Sequence, residues 1–270
     1  MNMKEKYQKL QDILIEMREV VVAYSGGVDS AFLLKVAVDV LGDKAKGILA
    51  VSPTFPSREF DKAKETASLI GAKISVIDSH EMEDEKFRSN PADRCYFCKS
   101  ELFSEMQKIA ESKQYQNLVD GSNFDDLGDH RPGMKALREL GVRSPLQESG
   151  LTKTEIRALS KRLGLPTWDK DSLACLSSRF PYGENITMEK LKMVDEIENY
   201  LFDMGFRSIR ARHQGNTLKI EVSPDYIQKF FDTTLRNKVV SKAKSLGYKY
   251  VTLDLEGYRQ GSMNEVLPKI

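Results

Sequence analysis

The sequence predicts an α/β protein, with a parallel-sheet domain over residues 1–183 followed by a smaller α+β domain over 184–270. Three observations lead there. Short apolar runs alternate with stretches of helical periodicity through the first half of the chain, the habit of a parallel sheet covered by helices. The first apolar run ends at Ser25-Gly26-Gly27, a tight turn that leads straight into a helix. Beyond Pro181-Tyr182-Gly183 the order of elements changes.

The elements follow in order. Tyr7, Leu10, Ile13, Leu14 and Met17 repeat at helical spacing, so a helix occupies about Lys4 to Arg18. Val20 to Tyr24 reads as a buried strand, because it is apolar on both faces. From Ser30, the residues Phe32, Leu33, Val36, Ala37, Val40 and Leu41 trace a second helix, closed by Gly42. Gly47–Val51 is a strand, Ser57–Ile70 a helix and Ala72–Ile77 another strand. A helix from about Cys98 to Glu111 precedes a fourth strand at Asn117–Asp120. Thr152-Lys153-Thr154-Glu155 is a capping box that opens a helix ending near Gly164. In the second domain a helix is expected over Met188–Phe202, with strands near Ser208–Arg212, Thr217–Val222 and Lys249–Leu255. In a parallel sheet ligands bind beyond the carboxyl ends of the strands. Ser25–Ser30, Ser52–Pro56 and Asp120–Gly133 all fall at such ends and are expected to converge.

Composition narrows the classes of function. Of 270 residues, 40% are hydrophobic and 30% charged, a globular balance. The 41 Lys and Arg against 40 Asp and Glu leave a net charge of +1. Binding to long nucleic acid is driven by phosphate neutralisation, so this balance argues against a dedicated RNA or DNA binder. No apolar run reaches the ~20 residues of a membrane span, and the charged start has no signal-peptide core. A cytoplasmic protein is expected, in which three cysteines do not make a disulfide framework.

Ser25-Gly26-Gly27-Val28-Asp29-Ser30 carries the sharpest chemistry. Two glycines after a strand let the backbone turn its N–H groups outward, and the following helix presents its positive end. Ser25 and Ser30 add hydroxyl donors, and Asp29 is placed to hold Mg²⁺ bridging bound phosphates. Neither the Walker A pattern nor the spaced-glycine dinucleotide fingerprint is present. The plainer reading of this segment is a Gly-rich strand-to-helix turn. Asp120 to Gly133 is dense in carboxylates and contains Arg131, so it reads either as a metal and polyanion loop or as a solvated acidic one. Ile209-Arg210-Ala211-Arg212 on a strand would place both guanidiniums on one face, where they suit a phosphate.

The three thiols allow several readings. Arg94-Cys95-Tyr96-Phe97-Cys98-Lys99 sets two of them three residues apart, and Cys175 stands alone beside Arg179. A structural zinc site wants four N or S ligands, and His80, His130 and His213 are the only histidines. A redox pair fits best behind a thioredoxin-type strand, which is not seen. Three cysteines holding an iron–sulfur cluster would leave one iron open. Buried thiols packing as small hydrophobes are the fourth reading.

Val22-Ala23-Tyr24-Ser25-Gly26-Gly27-Val28-Asp29-Ser30 resembles the PP-loop of the ATP pyrophosphatase superfamily. That resemblance implies a loop that binds the pyrophosphate of ATP (Ser25, Gly26, Gly27, Asp29, Ser30), and AMP transfer to a carboxylate or carbonyl oxygen, followed by attack of ammonia, an amine or sulfur. With Ser52-Pro53-Thr54-Phe55-Pro56, Asp120-Gly121, Arg131-Pro132-Gly133, Ala174-Cys175, Ser178-Arg179-Phe180-Pro181-Tyr182-Gly183, Val251 to Arg259 and Met263-Asn264, nearly the whole chain resembles the LarE-type sulfur transferases. These help to build the nickel-pincer nucleotide cofactor of lactate racemase. The resemblance implies ATP, Mg²⁺ and a small pyridinium mononucleotide, pyridinium-3,5-biscarboxylic acid mononucleotide, whose carboxylates become thiocarboxylates.

It further implies that Ser178, Arg179, Arg210 and Arg212 lie near the substrate phosphate. Some members give up the sulfur of a single cysteine at the position of Cys175. Others hold a [4Fe-4S] cluster on three cysteines, which Cys95, Cys98 and Cys175 match. A sulfide donor, assembly into homo-oligomers and coenzyme A binding are also implied. Arg259 and Glu221 are weaker candidates, for substrate and metal. The rival readings are tRNA thiolation, an ammonia-using amidating synthetase, and a non-catalytic iron–sulfur or nucleotide-binding regulator.

Overall fold

A computed structural model describes residues 1–112, 115–128, 132–171, 174–259 and 261–266. The chain divides into two compact units. The first comprises Met1–Ser52, Arg58–Phe87 and Asp93–Leu173; the second comprises Pro53–Ser57, Arg88–Ala92 and Ala174–Ile270.

The first unit is built on strands β1 (Val20–Ala23), β2 (Ala45–Val51), β3 (Lys73–Asp78) and β4 (Leu118–Val119). They run parallel in the order β3-β2-β1-β4. Central β1 is apolar on both faces because both are covered: Val20, Val21 and Val22 are buried. The helix Val28–Leu41 follows β1 and is itself nearly engulfed, with Phe32, Leu33, Leu34, Val36 and Ala37 buried. The helix Met3–Met17 buries Leu10, Ile13, Leu14 and Met17, the stripe its periodicity predicts. On the β4 side, Phe103, Met106 and Ala110 of the helix Arg94–Ser112 pack with Val21, Ile48 and Leu118.

That last helix begins four residues before the expected Cys98, after Asp93, whose carbonyl accepts the Tyr96 N–H at 2.7 Å. Its first five residues therefore carry both Cys95 and Cys98. The capping box at Thr152 forms as expected, Thr152 and Glu155 bonding each other's backbone, and opens the helix Lys153–Arg162.

The second unit holds β5 (Arg210–Gln214), β6 (Thr217–Glu221) and β7 (Tyr250–Leu253). β5 and β6 form an antiparallel hairpin; β7 joins β6 in parallel after the helix Thr233–Ser245. The hairpin turns through Gly215, whose φ of 56° lies in the left-handed region that glycine enters freely. The helix Met188–Asp203 buries Leu191, Val194, Ile197 and Leu201.

Residues 174–183, expected to close the first domain, are bonded to distant segments of the second. The Leu176 N–H donates to the Thr54 carbonyl at 2.7 Å, and Gly183 N–H to the Asn90 carbonyl at 2.9 Å. Asn90, fully buried at φ 55°, donates from Nδ2 to the carbonyls of Phe180 and Pro181. Among the described residues no helix is long and apolar enough to cross a membrane.

Candidate active-site elements

The loop after β1 folds back on itself. Ser25 N–H donates to Ser30 Oγ at 3.1 Å, and the two hydroxyl oxygens lie 3.0 Å apart. Gly27 caps the helix Val28–Leu41 with no side chain, so the first amide groups of a fourteen-residue helix face the loop with no side-chain acceptor of their own. Gly26 sits at φ 71°, and a Cβ there would fall 2.6 Å from Ala63 Cβ, so only glycine permits this approach. Lys170 Nζ donates to the Gly26 carbonyl at 2.9 Å and pairs with Glu59 Oε2 at 2.5 Å. Burial pushes the Glu59 carboxyl up, but Lys170 and Lys62 together hold it below the ordinary carboxylate value.

Asp29 stands in the first turn of that helix. Its Oδ2 is paired with Lys153 Nζ, whereas Oδ1 is buried without a hydrogen-bond partner. Burial raises the Asp29 carboxyl above its ordinary value in spite of Lys153. A buried carboxylate oxygen left open beside a phosphate-type loop is the donor a hard divalent cation takes, so the residues fit the expected Mg²⁺.

The strand order reverses direction at β1 and β4, the place where parallel sheets open a crevice. The loops after these two strands do meet there: a Cβ on Gly121 would lie 3.0 Å from Ser30 N. The described carboxylates of the second loop bond within the protein, however. Asp120 accepts the hydroxyls of Ser122 and Ser144 at 2.5 Å each, Asp125 accepts Lys153 N–H at 2.8 Å, and Asp126 accepts Asn123 N–H at 2.9 Å. They shape the loop. Asp129, His130 and Arg131 lie outside the described residues. A Cβ on Gly133 would fall 2.5 Å from Lys99 Cδ, so this glycine lets the lysine stem lie close against its helix.

The three cysteines are divided between the units. Cys95 is exposed and Cys98 half-buried on one helical turn of the first, and Cys175 is exposed on the second; none is in a disulfide. Two thiols at this spacing supply a soft donor pair of the kind iron–sulfur clusters take. Among the described residues no group of three or more His, Cys, Asp or Glu side chains is gathered as a metal site.

Around Cys175 the second unit concentrates charge. The Cys175 carbonyl accepts Ser178 Oγ at 2.9 Å and Arg179 Nη1 at 3.1 Å. Arg179, 3% exposed, makes a two-pronged pair with Glu198: Nε to Oε1 at 2.9 Å and Nη2 to Oε2 at 2.8 Å. Arg212 pairs with Glu221 Oε2 through Nε and Nη2 and donates from Nη1 to the Ser178 carbonyl at 2.7 Å. Arg210 lies over the Tyr258 ring at 4.6 Å and donates to its hydroxyl. Burial and the neighbouring Arg179 lower the Arg210 pKa. Ser178, Arg179, Arg210 and Arg212 thus lie close to one another. Sequence reading missed that two of the arginines are already neutralised in part by buried glutamates. Glu221 serves Arg212 and Lys219. Arg259 is on the surface with Glu256 and Glu265.

No protein-family model matches the chain. It is 45% identical over 267 residues to an uncharacterized protein of Synechocystis, covering 99% of this chain and all of that one. It is 30% identical over 258 residues to an uncharacterized protein of Methanocaldococcus jannaschii, covering 96% and 94%. With the pyridinium-3,5-bisthiocarboxylic acid mononucleotide synthase of Lactiplantibacillus plantarum it shares 38% identity over 257 residues, 95% of this chain and 92% of that enzyme. The chain belongs to the LarE family.

Within that family frame, Glu198 is the residue whose importance the structure adds. A signal was present: it lies four residues after Val194 and three before Leu201, on the buried stripe of its helix. Its Oε1 also accepts the Ala211 N–H at 2.9 Å. Glu198→Ala leaves Arg179 buried without its counter-charge, which costs on the order of 3–5 kcal/mol. Urea unfolding is expected to show that loss, with Glu198→Gln intermediate; wild-type stability in the alanine variant would mean that Arg179 finds another partner.

Proposed function

We propose that this LarE-family chain is an ATP- and Mg²⁺-dependent sulfur transferase that converts the carboxylates of pyridinium-3,5-biscarboxylic acid mononucleotide to thiocarboxylates. The single observation that carries the reading is the Ser25–Ser30 loop at the β1/β4 crevice, with Asp29 Oδ1 buried and open beside it. The printed activity of the Lactiplantibacillus relative, similar to this chain over nearly its whole length, supplies the substrate class.

In this reading the loop amides, Ser25 and Ser30 hold the β- and γ-phosphates; Asp29 would hold Mg²⁺, which when bound would supply charge stabilisation to the pyrophosphate leaving group. A substrate carboxylate oxygen attacks the α-phosphorus, pyrophosphate departs, and the carboxylate becomes an acyl adenylate. A sulfur nucleophile then attacks the acyl carbon, and AMP leaves with the original oxygen. AMP leaves where a bare oxide would not, which is the chemical purpose of the ATP. The Ser178, Arg179, Arg210 and Arg212 group orients the nucleotide phosphate of the acceptor. A [4Fe-4S] cluster on Cys95, Cys98 and Cys175 would supply an exchangeable sulfide. The exposure of Cys175 favours a second reading, in which its own sulfur is transferred.

Oxygen-free incubation with ATP, Mg²⁺ and the biscarboxylate nucleotide tests the proposal. AMP, pyrophosphate and a product with sulfur in place of carboxylate oxygen are expected by mass spectrometry. Transfer of sulfur to bulk tRNA instead, or ATP cleavage that never depends on the pyridinium nucleotide, overturns it.

A further inference from the structure

We propose that Lys170 is a positioning residue of the pyrophosphate loop, fixing the Gly26–Gly27 peptide so that the Gly27 N–H faces the bound anion. The proposal rests on the reading of Ser25–Ser30 as a pyrophosphate site. In a trans peptide the carbonyl and the next N–H point in opposite directions. Lys170 Nζ donates to the Gly26 carbonyl at 2.9 Å, which turns the Gly27 N–H to the other side, where it donates a long hydrogen bond to Ser25 Oγ at 3.4 Å that an anion could replace. A Gly-Gly linkage has little conformational preference of its own. Left alone, this peptide would rotate between donor-out and acceptor-out states, and an exposed carbonyl would repel phosphate.

Lys170 is itself held from several directions. Arg157, on the helix Lys153–Arg162, donates to the Trp168 carbonyl at 2.9 Å and to the Lys170 carbonyl at 2.7 Å. Lys161 lies 4.3 Å from the centre of the Trp168 ring, pinning the same segment. The ammonium is in addition locked to Glu59 in the first turn of the helix Ser57–Ile70, and both side chains are largely buried, at 19% and 10% exposure. With its ammonium already placed against Glu59 and the Gly26 carbonyl, Lys170 is assigned a role through the loop. It also stands five residues before Cys175 in the chain.

The test is calorimetric titration of the full-length protein with Mg-pyrophosphate and, separately, with AMP. Lys170→Met removes the donor and keeps the length of the side chain. Its pyrophosphate affinity is expected to fall roughly tenfold, the scale of one charge-assisted hydrogen bond, with AMP affinity unchanged; the melting temperature is expected to fall as well, because Glu59 loses a largely buried counter-charge. Lys170→Arg, which retains a donor, is expected to recover part of the loss. Pyrophosphate affinity unchanged in Lys170→Met, or affinity for both ligands falling together, overturns the role of Lys170 while leaving the loop assignment standing. Should Lys170→Met fail to fold, Glu59→Gln is the second variant: it frees the ammonium from Glu59 without removing it, and a selective fall in pyrophosphate affinity is again expected. Wild-type protein that binds no pyrophosphate overturns the loop assignment itself, and this proposal with it.

Discussion

Cys175→Ala is expected to abolish thiocarboxylate formation while ATP is still cleaved to AMP and pyrophosphate in the presence of the pyridinium substrate. In the proposed scheme Cys175 is needed only for the sulfur step, and ATP cleavage draws on the Ser25–Ser30 loop. Cys175 lies in the second unit, and the Ser25–Ser30 loop with Asp29 and Lys153 lies in the first. An exposed side chain contributes little to folding, so the variant should stay within about 0.5 kcal/mol of wild-type stability. Iron and acid-labile sulfide, measured on protein purified without oxygen, give the same substitution a second readout. About four of each per chain, lost in Cys175→Ala, would place the transferred sulfur on a cluster. Little iron in a protein that still transfers sulfur would make Cys175 the donor. It would then end as dehydroalanine, lighter by one H₂S, after a single turnover. Unchanged transfer by the alanine variant would remove Cys175 from both schemes.

The sheet of the first unit was legible because its signals are local. Val20–Ala23 and Gly47–Val51, most of the second strand, are short apolar runs beside helical stripes, and no distant partner is needed to read them. The Ser25–Ser30 turn was legible for the same reason. What the sequence hides is pairing across long separations. Lys153 meets Asp29 from 124 residues away and Lys170 meets Gly26 from 144, and each looks like an ordinary surface lysine in its own neighbourhood. Residues 53–57 and 88–92 sit between elements of the first unit in sequence yet bond to residues 176–183, so a linear division of the chain cannot assign them. Asp120 shows the same limit at a carboxylate. A carboxylate at the end of a strand suggests a ligand, but two serine hydroxyls close over it. Ser122 is only two residues away, but Ser144, 24 residues along the chain, carries no mark of that role.

Asp29→Asn is expected to lower kcat/KM for ATP cleavage on the order of a hundred- to a thousandfold, the scale of losing a metal's charge stabilisation at the transferred phosphoryl group. The substitution keeps the shape of the side chain and removes the anion, so a steric role and an electrostatic one give different results. Stability should move the other way. Burial raises the folded-state carboxyl of Asp29 above its ordinary value. A group whose folded pKa exceeds its unfolded one favours the fold when protonated and loses that contribution as pH rises through the folded pKa. At neutral pH the ionised Asp29 therefore opposes folding, and the asparagine variant is expected to melt at the wild-type temperature or above it. The wild-type pH profile of kcat/KM should fall on the acid side with a midpoint above the ordinary range of an aspartate, and Asp29→Asn should lack that limb. A variant that melts lower and keeps the acid limb would assign Asp29 to the fold, with Lys153 as its structural partner. A variant that is stable, slow and flat in acid would assign its open oxygen to the metal.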